Sequence, residues 1–426
     1  MSPRSWPALA VALAAALAYL PSFAGVFHFD DYNVIVNYPT VHSWQALAER
    51  ASGGVRPLLK ASYVLNWTLG EDAFGFHLVN NAVHALNAVL LFFIGKNLFP
   101  RNATAVLAAA LLFALHPAAT EAVTYISGRS SSLMAAFYLG AMLAYLRGGH
   151  WALSALLFLM AAAVRETAAT LPAALLLCEL ARDERPGWRT ILRRQGAHWA
   201  LLAGGALFVL LSARYSEHLS FGYTIRGLAE NLITQVGGIS YLVSRLVGLH
   251  GYNIDPALPT LTGWDAVLVF QATGLAALGV LGAASLRARP WIAFGVLWFF
   301  LQLAPTNSFV PRVDVANDRQ LYLASWGLFL ALCIQLQKLN FPRTATALVL
   351  ALFAATGISR QFDYSSEIRL WESSVRLAPW NARGHNNLGY AYQLAGREAD
   401  ARREYATALA LDPGHRKARF NFMLLK

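Results

Sequence analysis

Charge is scarce in this chain. Asp, Glu, Lys and Arg together make up 13% of its 426 residues, while 57% are hydrophobic. Soluble domains carry ~25% charged residues, so a soluble globular class is excluded. Cysteine is almost absent. Cys178 and Cys333 are the two in the chain, and both fall in apolar runs, which argues against a disulfide framework or a thiolate zinc site. Acidic residues are the scarcer sign, 23 against 34 basic, for a net charge of +11. Such an excess can mark a nucleic-acid partner. Here the Lys and Arg residues gather in short turns between apolar runs, which is the positive-inside pattern of a membrane protein, and no nucleic acid is expected.

What is present is a series of apolar runs. They cover approximately residues 7–24, 77–94, 104–115, 133–146, 151–164, 168–180, 199–211, 266–284, 291–303, 321–336 and 345–358. The reading is an all-α, polytopic helical bundle of about eleven spans, several lengthened into their flanks or tilted. The first run has the small residues of a cleaved signal peptide, but the polar Asp30-Asp31 signature follows at once, so an uncleaved anchor fits better. With Arg4 in the cytoplasm, Lys96/Arg101, Arg147, Arg182 to Arg194, Arg287/Arg289 and Lys338/Arg343 all fall inside. The segment 224–249 is apolar but carries Arg226, Glu230, Asn231, Gln235 and Arg245. It is read as a helix on the outer face or a partial entry, because a full span would invert every later loop.

The unusual polar residues then share one side: Asp30, Asp31 and Arg56; His116, Glu121 and Arg129; Arg165 and Glu166; Asn253 and Asp255; Arg312, Asp314, Asp318 and Arg319. One-sided polarity predicts an active face outside the cytoplasm. In a bacterium that is a multi-pass inner-membrane protein with its site and C-terminus periplasmic. His77, Asn80, His84 and Asn87 fall on one helix face, a stripe suited to hydrogen bonds between helices.

The composition changes after the last run. Residues 382–415 show Asn387-Leu388-Gly389, then Tyr392, Gly396, Ala401, Tyr405, Ala408 and Pro413, a 34-residue tetratricopeptide-like spacing with small residues where two helices cross. A half-repeat from Trp371 to Pro379 and a truncated helix from Arg419 flank it. The domains expected are 1–360 in the membrane and 364–426 as a helical module on the outer face. The module serves either as a structural cap or as a docking surface for an acceptor polypeptide.

The motif order carries a resemblance: Asp30-Asp31 after the first run, Arg56-Pro57-Leu58, Gly75-Phe76-His77-Leu78-Val79-Asn80, His84-Ala85-Leu86-Asn87, Ala114-Leu115-His116-Pro117 with Glu121, Gly128-Arg129, Arg165-Glu166, Ala304-Pro305 and Arg319-Gln320-Leu321-Tyr322. The series resembles the transmembrane and tetratricopeptide-repeat protein O-mannosyltransferases and their bacterial relatives, which have the GT-C glycosyltransferase fold. Two departures stand out. Arg165 replaces the family's usual Lys, and the repeat array is short.

The resemblance implies inverting transfer of mannose or another hexose from a lipid phosphate, here a polyprenyl phosphate, to a Ser or Thr hydroxyl of a protein. The phosphate is already a good leaving group, so the need is a base for the hydroxyl. Asp30 takes that role by carry-over. Asp31 either raises its proton affinity or joins it in holding a divalent cation. Taken alone, the Asp pair reads as a turn. The expected donor phosphate and sugar contacts are Arg56, His77, His116, Glu121, Arg129, Arg165, Glu166, Arg319 and Tyr322. The arginines are suited to bidentate phosphate binding, although an interfacial Arg also snorkels to lipid. Glu121 and Glu166 are suited to orienting a neighbouring Arg. A non-catalytic scaffold for envelope or export assembly, working through the repeat module, is the alternative.

Overall fold

The computed structural model describes residues 6–50, 55–182 and 185–425. Arg4, from which the topology was counted, lies outside them. The protein is 79% helical, with no strand among the described residues. Every one of the eleven apolar runs lies in helix. Five helical stretches are long and apolar enough to cross a membrane: Trp6–Ala24, Ala73–Leu98, Ala266–Ala284, Asp318–Lys338 and Arg343–Asp363. A sixth arises if Pro100–Leu115 and Pro117–Val123, bent by 51° at the break, count as one span. The shortfall from eleven is partly a matter of polarity, since Arg129–Arg147 and Trp188–Leu211 have 19 and 24 residues but are not apolar enough, and partly of length. Trp151–Val164 and Pro290–Leu303 have 14 residues each, which at ~1.5 Å per residue falls short of a ~30 Å hydrocarbon layer.

Small residues let the helices approach. Gly295 and Gly327 face each other where Pro290–Leu303 crosses Leu321–Lys338, and a Cβ on either would overlap the other's carbonyl. Trp298 and Trp326 pack edge to face beside this crossing, centroids 5.4 Å apart. The Trp298 indole N–H donates to the Leu323 carbonyl at 2.7 Å, so the buried ring leaves no orphan donor.

The polar stripe of Ala73–Leu98 binds its neighbours. Asn80 donates to the Val123 carbonyl at 3.1 Å. His84 meets the Tyr322 hydroxyl at 2.9 Å and the Ala114 carbonyl at 3.1 Å. Asn87 donates to the Ser132 carbonyl at 2.8 Å. The exception is His77, buried against Gly25 with both ring nitrogens unpartnered.

Two more elements frame the site. The debated segment forms the helix Leu228–Val247. Its polar residues lie against the 306–318 segment: Asn231 donates to the Ser308 carbonyl at 2.7 Å, Gln235 accepts from Asn307 at 2.9 Å, and Tyr241 donates to Asp318 at 3.2 Å. Leu228, Leu232 and Val247 stay exposed. Beyond Asp363, four helices follow: Glu367–Leu377, Ala382–Leu394, Glu398–Leu411 and Arg416–Leu424. Gly389 lets the second approach the Tyr405 ring of the third. Their apolar faces form a core with Tyr125 and Ile254 of the preceding loops, so the terminal helices are seated on the bundle.

Replacing Gly295 by Leu should force Pro290–Leu303 off Leu321–Lys338. Overpacking of this kind costs roughly 1–3 kcal/mol. A clear fall in the apparent Tm of the detergent-solubilised protein is expected; an unchanged Tm would mean the two helices do not touch there.

Candidate active site

The site grows from two backbone corners. Phe29 and Arg56 have φ of 45° and 57°, in the left-handed region that costs a bulky side chain energy and that concentrates at functional sites. Phe29 immediately precedes Asp30. Arg56 caps the helix Pro57–Leu69, whose first residue is a Pro with φ already set for helix. Between the corners lies a cavity of about 350 Å³, bordered by Asp30, Arg56, Lys60, Arg165, Arg312 and Arg319, together with Tyr38, Tyr63, Ser127 and Ser130.

Five basic side chains thus surround one carboxylate. Arg56 forms a fork with Glu166, at 3.1 and 2.8 Å. Burial pushes the Glu166 carboxyl up, but the Arg56 bonds and charge outweigh it and hold it below its ordinary range. Arg319 lies 3.5 Å from Glu121, which also accepts the Arg319 backbone N–H at 3.0 Å. Arg165 donates to Ser131 and Ser130 and has no acid on it at bonding distance among the described residues. Burial, then repulsion from Arg56, Arg312 and Arg319, drives Arg165 well below the usual guanidinium range. Burial and Arg319 bring Arg312 down to about 10, still a cation at neutral pH. Cations that destabilise one another make a site suited to an anion.

Asp30 is part-buried, and its backbone N–H donates to the Tyr125 hydroxyl at 2.9 Å. Burial raises its pKa above the ordinary carboxylate value, the nearby Asp314 adds to this, and Arg319 opposes it. A carboxylate with a raised proton affinity, open to a cavity, can take a proton.

Asp31 does different work. It is fully buried and lies outside the cavity. One oxygen accepts the His28 N–H at 2.9 Å, and the other accepts the Ser127 N–H at 2.8 Å and the Ser127 hydroxyl. With both oxygens committed it is a tie between two loops, and the turn reading applies to it. Among the described residues no three of His, Cys, Asp and Glu gather as metal ligands. The Asp30–Asp31 pair therefore does not fit a divalent cation, and no chemistry is derived through one.

Other expected contacts sit elsewhere. Arg129 is buried beneath the site and spends its guanidinium on Asn80 at 2.7 Å and on the Ser62 and Phe76 carbonyls at 3.1 and 3.0 Å. His116 accepts the Ala118 N–H and bonds the Leu246 carbonyl at 3.2 Å. His77 packs under Gly25. Tyr322 borders only a small adjoining hollow shared with Arg165 and Arg319, its hydroxyl taken by His84 and Asn87. Lys60 and Arg312 are additions. Lys60 falls one helical turn after Arg56, a spacing that places both on one face.

The C-terminal helices hold this site in shape. Glu367 accepts the Phe29 N–H at 3.2 Å and meets His28 at 3.1 Å. The other His28 nitrogen meets the Tyr364 carbonyl at 2.7 Å. Phe29 packs edge to face on Trp371. Arg383 bridges Asp255 and Asp314, both within 2.7 Å, next to Arg312.

A multi-pass membrane chain with a cationic cavity at the head of its bundle is the class defined so far, and the comparisons make it more particular. The chain is 26% identical over 94% of its length to protein O-mannosyl-transferase F38B6.6 of Caenorhabditis elegans, covering 62% of that protein. It is 28% identical over 97% of its length to protein O-mannosyl-transferase TMTC1 of Homo sapiens, covering 56% of it. With Tmtc2 of Drosophila melanogaster the identity is 34%, over 46% of the chain and 23% of the relative. It is a homologue of the TMTC protein O-mannosyl-transferases. The chain spans about half to two thirds of the length of several of these curated relatives. No family model and no solved structure matches it.

Asp31 gives a pH test. Burial, against the Ser127 and His28 bonds, raises its pKa to about 6, above the unfolded value of ~3.9. Between those two values the folded state holds a proton that the unfolded state has lost, so stability falls as pH rises from ~4 through ~6. The full loss is ~3 kcal/mol at ~1.36 kcal/mol per pKa unit. Asp31→Asn should flatten that stretch of an apparent-Tm-against-pH curve; an unaltered slope would remove Asp31 as its source.

Proposed function

We propose that the chain is an inverting glycosyltransferase that moves mannose or another hexose from a polyprenyl-phosphate carrier to a Ser or Thr hydroxyl of a protein, on the extracytoplasmic face of the membrane. The observation that carries this reading is the cavity in which one carboxylate of raised proton affinity faces five basic side chains. It matches the charge pattern of the reaction, in which a proton is taken at one end and a phosphate anion released at the other. The homologues' names support the protein acceptor and the mannose.

In this reading the acceptor oxygen attacks C1 of the sugar and its proton passes to Asp30. The bond from C1 to the phosphate oxygen breaks with its electron pair leaving on the phosphate. One displacement inverts C1. Arg165, Arg312 and Arg319 hold the phosphate, favouring the departing charge over the esterified donor. Arg56 and Lys60 border the same cavity. Glu121 and Glu166 are positioning residues that aim Arg319 and Arg56. We read 364–426 as a tetratricopeptide-like module that braces the Asp30 turn. Its docking role toward the acceptor rests on family likeness. The scaffold alternative has no comparable observation in its favour.

Asp30→Asn should reduce sugar transfer by roughly 10²-fold or more, the scale of a lost general base, with donor binding retained. The assay uses the full-length protein in detergent, radiolabelled polyprenyl-phosphate mannose, and membrane and secreted proteins from cells lacking the chain. Wild-type turnover in this variant would defeat the base assignment.

The pH profile gives a second readout. Asp30 must be ionised to accept a proton, so activity should rise with pH through its raised pKa. Arg319 lowers that pKa, so in Arg319→Gln the acid limb of kcat/KM should move to higher pH as well as fall in height. A limb that keeps its position would place the titrating group elsewhere.

A further inference from the structure

The helices that start at the arginine cavity end at a second, larger hollow. It measures about 890 Å³ and is lined by Arg147, His150, Arg182, Arg189, Arg193 and Arg194, among others. These residues come from three separate places in the chain: the end of Arg129–Arg147 and its following turn, the end of Leu171–Ala181, and the opening turns of Trp188–Leu211. Among the described residues, one acid lies beneath them. Glu179 is fully buried, accepts the Tyr145 hydroxyl at 2.7 Å, and is shared by Arg182 and Arg194 at 3.5 Å each. Arg147, Arg189 and Arg193 are exposed and have no acid partner among the described residues.

Positive-inside bias alone explains basic residues scattered over separate turns. It does not explain their convergence on one hollow. The helix direction sharpens the point. Arg189, Arg193 and Arg194 occupy the first two turns of Trp188–Leu211, where the helix dipole already presents positive charge and cations are disfavoured. Glu179 answers Arg194 alone of the three, and no described acid relieves Arg189 and Arg193 until an anion enters.

The surroundings specify what bears the anion. Trp151 lines the hollow and Trp188 precedes its Arg189; each is 64% exposed, in the manner of interfacial anchors. Below Trp151, Leu153, Leu156 and Leu159 are exposed along one helix, and Leu192 is exposed beside Arg193. A phosphate in the hollow therefore has apolar tracks leading away from it, suited to acyl chains. A nucleic acid or a free phosphate would leave those tracks without a role.

We propose that this hollow is a headgroup site for an anionic glycerophospholipid of the leaflet opposite the arginine cavity. Arg147, Arg189 and Arg193 bind the phosphodiester, and the acyl chains lie along the Trp151–Val164 face. The inference is independent of the transferase reading, because it concerns the other end of the bundle.

Full-length protein, delipidated in detergent, would be titrated with phosphatidylglycerol and with phosphatidylcholine and examined by native mass spectrometry. The expected result is at least tenfold tighter retention of phosphatidylglycerol. The paired variant Arg189→Gln/Arg193→Gln should lose that preference, the paired Lys variant should keep most of it, and Arg312→Gln at the opposite end should leave it intact. Soluble glycerol 3-phosphate should compete weakly. Equal retention of the two lipids, undiminished preference in the Gln pair, or competition by glycerol 3-phosphate or a short RNA as effective as the lipid itself would each overturn the proposal.

Discussion

Arg319 is the hinge of the electrostatics. It lies 3.5 Å from Glu121 and acts on the Asp30 carboxylate from the same position. One guanidinium thereby anchors a loop, lowers the proton affinity of an acid that burial raises, and borders a cavity with four other cations. Without it, burial at Asp30 would be opposed by the weaker effects of the Tyr125 hydroxyl and the Arg383 charge. Without Glu121, Arg319 would keep its repulsion with Arg165 and Arg312 and lose the acid that pairs with it. The site is a balance between desolvation, which disfavours every charge in it, and pairing, which relieves only some of the basic residues.

That incomplete relief separates a binding cavity from a salt-bridge network. Arg383 shows the contrast. It is held by both Asp255 and Asp314, and its charge is fully answered. Among the described residues Arg165 meets hydroxyl acceptors and no carboxylate at bonding distance. A fold that supplies Arg383 with two carboxylates and Arg165 with none has the means to neutralise a cation and withholds it at the cavity.

Much of this was legible in the sequence, for identifiable reasons. Apolar runs and turn charges mark helices at a resolution of a few residues, and the helix of each run duly formed. Asp30, Arg165 and Arg319 sit near the edges of those runs and Arg56 in the loop between the first two, and the structure brings all four to one cavity. Arg129 has the same sequence signature as Arg165, an arginine at the edge of an apolar run. It differs only in facing inward, where backbone carbonyls and Asn80 surround it. Facing is a property of helix rotation, which a weakly amphipathic run does not record. His77 and His116 were equally ambiguous, since a buried His and a ligand His have the same letter and spacing. Lys60 was legible through its spacing from Arg56. Arg312 was visible as an outer-loop cation, but its convergence with Arg165 depends on how two distant loops fold over each other.

Glu367 fastens the backbone of Phe29, 338 positions earlier in the chain. That distance sets an order of events in biosynthesis. The helices enter the membrane as they are made, yet the turn bearing Asp30 lacks its clasp until the ribosome has passed the last apolar run. Nascent chains would hold the cavity's arginines and acid in the same membrane without the corner that aims them. The corner takes shape only after Glu367 has been made, and a chain halted before that residue would be inserted but unfinished.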